Sequence, residues 1–216
     1  MPHMIINKRE VVPLFSKVFY LNTLDINFKK IHKLLGDDFI KAGFRLPEEV
    51  KNVASFTTSK NILEEPKFKF LKKIIMKELY VYTKEVLRYN HEFKMTTSWF
   101  TKTEKGEESN YHNHRNSYIS CVLYTNVDDK SGDISFTNYK DDKMFQLTPF
   151  EYNNFNSESI RIRPQNGMII FCPSEVHHKI ITSESDISRH SLACNFIPIG
   201  DIGDSSSDSY VQITVK

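Results

Sequence analysis

Two pairs of histidines stand out as residues whose type and spacing could do chemistry: His112 with His114, and His177 with His178. On a strand, side chains at i and i+2 point to the same face, so both imidazoles of Tyr-His-Asn-His-Arg (111–115) can approach one metal ion. A third ligand is on offer from His177-His178. That pair follows Gly-Met-Ile-Ile-Phe-Cys-Pro-Ser (167–174), which reads as a buried strand closed by a proline turn. Three ligands on one face leave open positions for a substrate and dioxygen, as redox chemistry at non-haem iron requires. Eleven positions beyond His178 comes Arg189, with Ser191 two further on and on the same strand face. A guanidinium fork with a neighbouring hydroxyl suits a carboxylate. The other four histidines (His3, His32, His91, His190) fall into no pattern, and Met-Pro-His-Met reads as a cloning scar ahead of a natural start at Met4.

Positioning these groups is a task for strands. After Asn90 the chain is a succession of short β-branched or aromatic runs: 93–101, 118–125, 133–138, 159–162, 168–172, 179–182 and 190–197. Turn-rich stretches such as 128–132 and 164–167 separate them, which points to a sandwich or jelly roll rather than βαβ units. Before Asn90 the texture is helical. Phe68, Leu71, Ile75, Leu79, Tyr82 and Val86 recur at threes and fours over 66–88, opened by Pro66, and a shorter helix is expected over 28–35, ended by Gly36. Residues 11–21 are expected as a strand, 200–209 as a linker and 210–215 as a last strand. Trp99 is expected in the core. The Asn-rich stretch 149–159 is expected as a lid, a substrate loop or an exposed connection. The resulting expectation is a mainly β protein of α+β type. Residues 1–90 supply an N-terminal strand and helices packed on a β core formed by residues 91–216.

At 216 residues the chain can bury a core without staples, and its 26% charged and 39% hydrophobic content excludes wholesale disorder. No apolar run approaches a membrane span, and no secretory h-region opens the sequence. Three widely spaced cysteines without C-x-x-C fit a reducing, cytoplasmic setting. Residues 1–90 carry 17 Lys/Arg against 10 Asp/Glu, and residues 91–216 carry 12 against 17. The basic helix reads chiefly as a solvated face. With net charge +2 and no base-reading motif, a nucleic-acid partner is not indicated. An organic or protein substrate, and a second copy of the chain, are the partners left open.

His-x-His, a distal His and then Arg-x-Ser resemble the double-stranded β-helix (jelly roll) of the Fe(II)/2-oxoglutarate-dependent oxygenases, over about Trp99 to Phe196. Residues 111–120 are similar to a subfamily carrying His-x-His-Pro before a Ser-Gly strand, with Arg115 in place of the proline and Cys121 in place of the glycine. Leu-Tyr-Thr-Asn-Val (123–127) and Ser-Gly-Asp-Ile-Ser-Phe (131–136) are similar to prolyl-hydroxylase-like members. Pro-Ser-Glu-Val-His-His-Lys-Ile (173–180) resembles the family's Pro-Ser-x-x-x-His-x-Val, which selects His178 over His177. The resemblance implies Fe(II) held by His112, His114 and His178, with 2-oxoglutarate and O2 as cosubstrates. It places the far carboxylate of 2-oxoglutarate on Arg189 and Ser191, with Tyr124 or Tyr118 adding a hydrogen bond. The implied activity is that of a dioxygenase, a hydroxylase releasing succinate and CO2. His114 departs from the wider family, which has a carboxylate there. Two alternatives stand beside this reading. One is a three-histidine cupin-like metal dioxygenase that does not use 2-oxoglutarate: Gly106 precedes His112 by six, but residues 115–120 hold no Glu and His178 lies eleven beyond Gly167. The other is a jelly-roll binding module without catalysis.

Overall fold

The computed structural model describes residues 15–41, 53–137, 145 and 147–214. Its architecture is two antiparallel sheets with helices against one of them. The strands are β1 (Tyr20–Thr23), β2 (Phe39–Lys41), β3 (Ser55–Thr57), β4 (Glu92–Thr103), β5 (Ile119–Asn126), β6 (Ile134–Thr137), β7 (Ser159–Ile162), β8 (Met168–Pro173), β9 (His177–Ile180), β10 (Arg189–Ile202) and β11 (Val211–Ile213). The larger sheet runs β1-β8-β5-β10-β4-β3-β2, with β11 attached to β10, and the smaller runs β7-β6-β9. Strands from the N-terminal part are thus hydrogen-bonded into the large sheet, β1 on β8 and β3 on β4.

Alternation along each central strand divides the molecule into two layers of core. Ile119, Cys121 and Leu123 of β5, Ile169 and Phe171 of β8, and Leu192, Cys194 and Phe196 of β10 face the helices. There they pack with Leu71, Ile75, Leu79 and Tyr82 of the long helical segment and with Ile31 and Leu35. Each such fully buried aliphatic chain is worth about 1.5–3 kcal/mol. The opposite face of the same strands looks into the smaller sheet, where Tyr124, Ile170 and Cys172 meet Ile134, Phe136 and Val176. All three cysteines are free and buried.

The short helix is α1 (Phe28–Leu35), with the Asn27 side chain accepting from Lys30 N at 2.9 Å and Gly36 closing it. The long one is not uniform. Pro66–Phe68 is a 3₁₀ turn, α2 spans Lys69–Tyr80, and Val81–Val86 widens into a π-helical turn. At that turn the Thr83 hydroxyl bonds back to Leu79 O at 2.9 Å, and buried Tyr82 donates to Val18 O at 2.7 Å. On the exposed side Lys72 pairs with Glu64 and Lys67 with Glu65. No helix among the described residues is long and apolar enough to cross a membrane.

Several boundaries differ from expectation. Of the strand expected over 11–21, residues 11–14 lie outside the described residues. Pairing starts only at Tyr20, because Phe19 turns away to meet the Phe136 ring edge-on at 4.8 Å. The strand expected at 179–182 is His177–Ile180, set by its register against β6. β10 continues past 197, and Gly200–Ile202, expected in a linker, pair with β11. β2 and β3 had no counterpart in the sequence reading, being three residues each.

Gly132, in the β5–β6 turn, has φ +79°, and a Cβ there would run into the carbonyl oxygen of Ile181. Gly132→Ala is therefore expected to lower stability by at least about 2 kcal/mol. The check is the urea midpoint; a midpoint equal to that of the wild type would refute the close approach.

Candidate metal and anion site

Residues 106–112 act as a fourth, irregular strand of the smaller sheet. Gly106 N donates to Ser183 O (2.7 Å), Ser183 N to Glu107 O (2.9 Å) and Ser109 N to Ile180 O (3.2 Å). At the end of this run His112 and His178 form an isolated antiparallel bridge, His112 N to His178 O at 3.0 Å and His178 N to His112 O at 2.9 Å. His114 N then donates to Ser174 O at 3.0 Å. These backbone bonds bring the three rings together: ring centroids are 4.5 Å apart for 112–178, 5.3 Å for 112–114 and 5.1 Å for 114–178. One nitrogen of each lies within 4.8 Å of the others. His177, the neighbour on β9, falls on the opposite face and is not in this cluster.

The electronic state suits cation binding. Burial, with a contribution from the nearby His112, pushes the imidazolium pKa of His114 down to about 4. Burial followed by the His112 charge pushes that of His178 down to about 3. Both are therefore neutral near pH 7, and His114 Nε2 and His178 Nε2 face each other at 3.3 Å. His112 Nδ1 sits 2.8 Å from Asn110 O, and His178 Nδ1 sits 3.1 Å from Val176 O. A carbonyl can only accept, so in each neutral ring Nδ1 carries the proton and Nε2 presents its lone pair. Converging lone pairs in a half-buried pocket lack a stabilising partner unless a cation lies between them.

Facing the triad, β4, β5 and β10 line a cavity of about 100 Å³ with Trp99, Thr101, Ser120, Val122, Tyr124, Arg189, Ser191 and Ala193. At its inner end Arg189 is 1% exposed. Its guanidinium lies 5.0 Å from the Tyr124 ring centre, and Nη1 donates to Ser191 Oγ at 3.4 Å. Arg189 Nε and Tyr124 Oη are buried without a hydrogen-bond partner. Desolvation lowers the Arg189 pKa and raises that of the Tyr124 phenol to about 12. Among the described residues no carboxylate lines the cavity. A buried cation beside orphaned donors is a poor structural element and a ready receptor for an anion.

Most residues singled out from the sequence thus converge, with Tyr118 the exception. Tyr118 lies outside the cavity: it is 49% exposed and donates to Tyr89 Oη at 3.2 Å. Parity alone would put Tyr118 on the inner face with Ser120, Val122 and Tyr124, but it precedes the regular strand, which begins at Ile119, so the alternation does not reach it. Trp99, expected in the core, lines the cavity with its ring 5.7 Å from His114. The stretch 149–159 exposes Phe150, Tyr152 and Phe155 and does not line the cavity. Ser120 and Thr101 were missed, having no signal beyond strand parity.

Residues 97–195 match the family model described as "Putative 2OG-Fe(II) oxygenase". Among solved structures the chain resembles a Pseudomonas putida prolyl-4-hydroxylase at 16% identity, covering 85% of this chain and 94% of that one with a TM-score of 0.56. It also resembles a Trichoplax adhaerens prolyl hydroxylase solved with a hypoxia-inducible-factor peptide fragment, at 11% identity, 82% of both chains and a TM-score of 0.57. Streptomyces hygroscopicus HygX, solved with nickel, 2-oxoglutarate and hygromycin B, is similar at 10% identity, over 83% of this chain and 82% of that one, with a TM-score of 0.55. No curated protein sequence matches the chain.

Trp99 is the only tryptophan, so its fluorescence reports on the neighbouring His114. Loading with one equivalent of Ni(II) or Co(II) is expected to quench that emission, and His178→Ala to abolish the quenching at the same metal concentration. Emission indifferent to metal would refute the cluster as a metal site.

Proposed function

We propose that the chain, whose residues 97–195 match the 2OG-Fe(II) oxygenase family model, is an Fe(II)/2-oxoglutarate-dependent oxygenase in which His112, His114 and His178 hold the iron and Arg189, with Ser191 and Tyr124, receives the far carboxylate of 2-oxoglutarate. The observation that carries the cosubstrate assignment is the fully buried, carboxylate-free guanidinium at the end of a cavity whose other wall is the histidine triad. A three-histidine dioxygenase without a 2-oxo acid would have no use for that charge, and a binding module without catalysis is told apart by the succinate assay below.

When bound, iron(II) supplies the coupling of two oxidations. Per turnover, 2-oxoglutarate, O2 and a substrate C–H bond give succinate, CO2 and a C–OH bond. The chain's own residues do the rest. His112 and His178, fixed by Asn110 O and Val176 O, present Nε2 in a set orientation. Arg189 and Ser191 anchor the remote end of the cosubstrate, so that its 2-oxo acid end lies toward the triad. Val122, Ile134, Phe136 and Cys172 keep the interior dry. His112 is the exposed member of the triad, so the substrate, an organic molecule or a protein segment, approaches on its side.

Two measurements test this. Succinate release from 2-oxoglutarate with Fe(II) is expected to fall more than about 100-fold in His178→Ala, beyond the 10–100-fold that loss of an outer-shell partner costs. In Arg189→Ala the loss appears as a KM for 2-oxoglutarate raised by about 100-fold or more, because removing one partner of a buried pair costs about 3–5 kcal/mol. Undiminished turnover in both variants would sink the assignment.

Arg189→Met gives a prediction of opposite sign for the free protein. Exchanging a buried unpaired charge for an apolar chain is expected to stabilise it by about 1–4 kcal/mol. The midpoint of thermal unfolding rises without ligand and no longer responds to 2-oxoglutarate, whereas the wild-type midpoint rises with it. An Arg189→Met midpoint still raised by 2-oxoglutarate would refute the anion assignment.

A further inference from the structure

The three rings of the triad are not held alike. His112 and His178 each have Nδ1 against the carbonyl two residues back, at Asn110 and Val176. The equivalent carbonyl for His114 is that of His112, which already accepts from His178 N. Among the described residues the His114 ring has one polar contact, the 3.3 Å approach of its Nε2 to His178 Nε2, and no carbonyl anchor of its own. Its place is set by the backbone, His114 N to Ser174 O at 3.0 Å, and by the flank of Trp99.

Ser174 is in turn the most heavily bonded residue of the turn between β8 and β9. It is 1% exposed, and its N–H donates to Tyr118 O at 3.1 Å. Its hydroxyl lies 2.7 Å from Ser120 Oγ and donates to Ser117 Oγ at 2.9 Å. Ser120 Oγ, whose one proton is shared between Ser174 Oγ and Asn195 Oδ1, lies 2.9 Å from the latter, and Asn195 Nδ2 donates to Thr97 Oγ1 at 3.0 Å. Asn195 sits where the β4–β10 register shifts. The chain of bonds therefore starts at a bulge in the large sheet, crosses β10 and β5, and ends on the turn whose carbonyl holds His114.

We infer that Ser174, braced through Ser120 and Asn195, is the positioning residue for His114, supplying from the large sheet the anchor that the other two ligands obtain from their own loops. The inference rests on the metal-site reading above. Without the hydroxyl Ser174 keeps only its backbone bond to Tyr118 O, so its carbonyl is held less firmly and His114 is displaced from the coordination sphere while His112 and His178 stay.

The test is Co(II) titration of the full chain, following affinity and the visible ligand-field bands. Ser174→Ala is expected to weaken Co(II) binding about 10-fold or more, the range for loss of an outer-shell partner, and to give bands matching those of His114→Ala. Ser120→Ala, which leaves the Ser174–Ser117 bond intact, serves where Ser174→Ala does not fold, and is expected to shift both readouts in the same direction. Leu79→Ala, a cavity in the helical core far from the triad, is the control: it lowers thermal stability while wild-type bands and affinity persist. Wild-type bands with an affinity within twofold of wild type in both serine variants would overturn the inference and leave the metal site standing. Failure of the wild-type chain to bind Co(II) would overturn both.

Discussion

The pair of backbone hydrogen bonds between His112 and His178 is the constraint on which the site depends. These residues are 66 positions apart, and neither lies in a strand long enough to define its register alone. The bridge is possible because residues 106–112 run along β9 as an irregular strand and because β9 is itself pinned to β6, Phe136 opposite His178. Since side-chain direction alternates with every residue, a slip of one position would point His177 inward and His178 out. The identity of the third ligand is thus a statement about sheet register, enforced by the apolar contacts of Ile134, Phe136 and Ile180 along the same strands.

The large sheet meets two demands with opposite faces of the same strands. Toward the helices it is apolar but for buried Ser98 of β4, whose hydroxyl accepts from Leu63 N. Toward the smaller sheet it tolerates Arg189, Ser191, Thr101, Tyr124 and Ser120 in the same residue-by-residue alternation. Polar burial on that scale is affordable only where the other face is closely packed. The unpaired guanidinium marks where stability has been given up for binding, and the apolar neighbours that make it costly also make an arriving carboxylate bind strongly.

Legibility in the sequence followed the range of the interactions. The spacing His-x-His, the Arg-x-Ser parity and the α2 stripe are local; both pairs come together in the structure, though His114 lies beyond the strand pairing, and the stripe is buried only as far as Tyr82, Val86 being exposed at the π-helical turn. Tyr118 and Tyr124 could not be separated from composition, because both lie in one aromatic run and only the start of regular pairing at Ile119 decides which of them faces the cavity. Trp99 reads as core because its neighbours Ser98 and Phe100 are buried, yet its parity sends it to the cavity wall. The strands β2 and β3, three residues each, carry no periodicity at all and exist only because β4 offers an edge. The serine–asparagine chain behind His114 joins positions up to about a hundred residues apart and leaves no trace in spacing.

In the proposed site, His114 standing where the wider family has a carboxylate would change the charge balance of the pocket. Imidazole ligands bring no negative charge to a divalent cation, and among the described residues no acidic side chain lines the cavity to offset it or Arg189. On that proposal, compensation would come from the dianionic cosubstrate, with one carboxylate directed at each cation. Metal and 2-oxoglutarate each remove an unfavourable charge that the other would otherwise face alone, so their affinities are coupled, and by linkage the coupling is the same in either order of binding. A carboxylate in place of His114 would let the protein hold the metal on its own and weaken that dependence. With His114 as the proposed ligand, occupancy of the metal site would be tied to occupancy of the anion site, across a cavity whose walls come from both sheets.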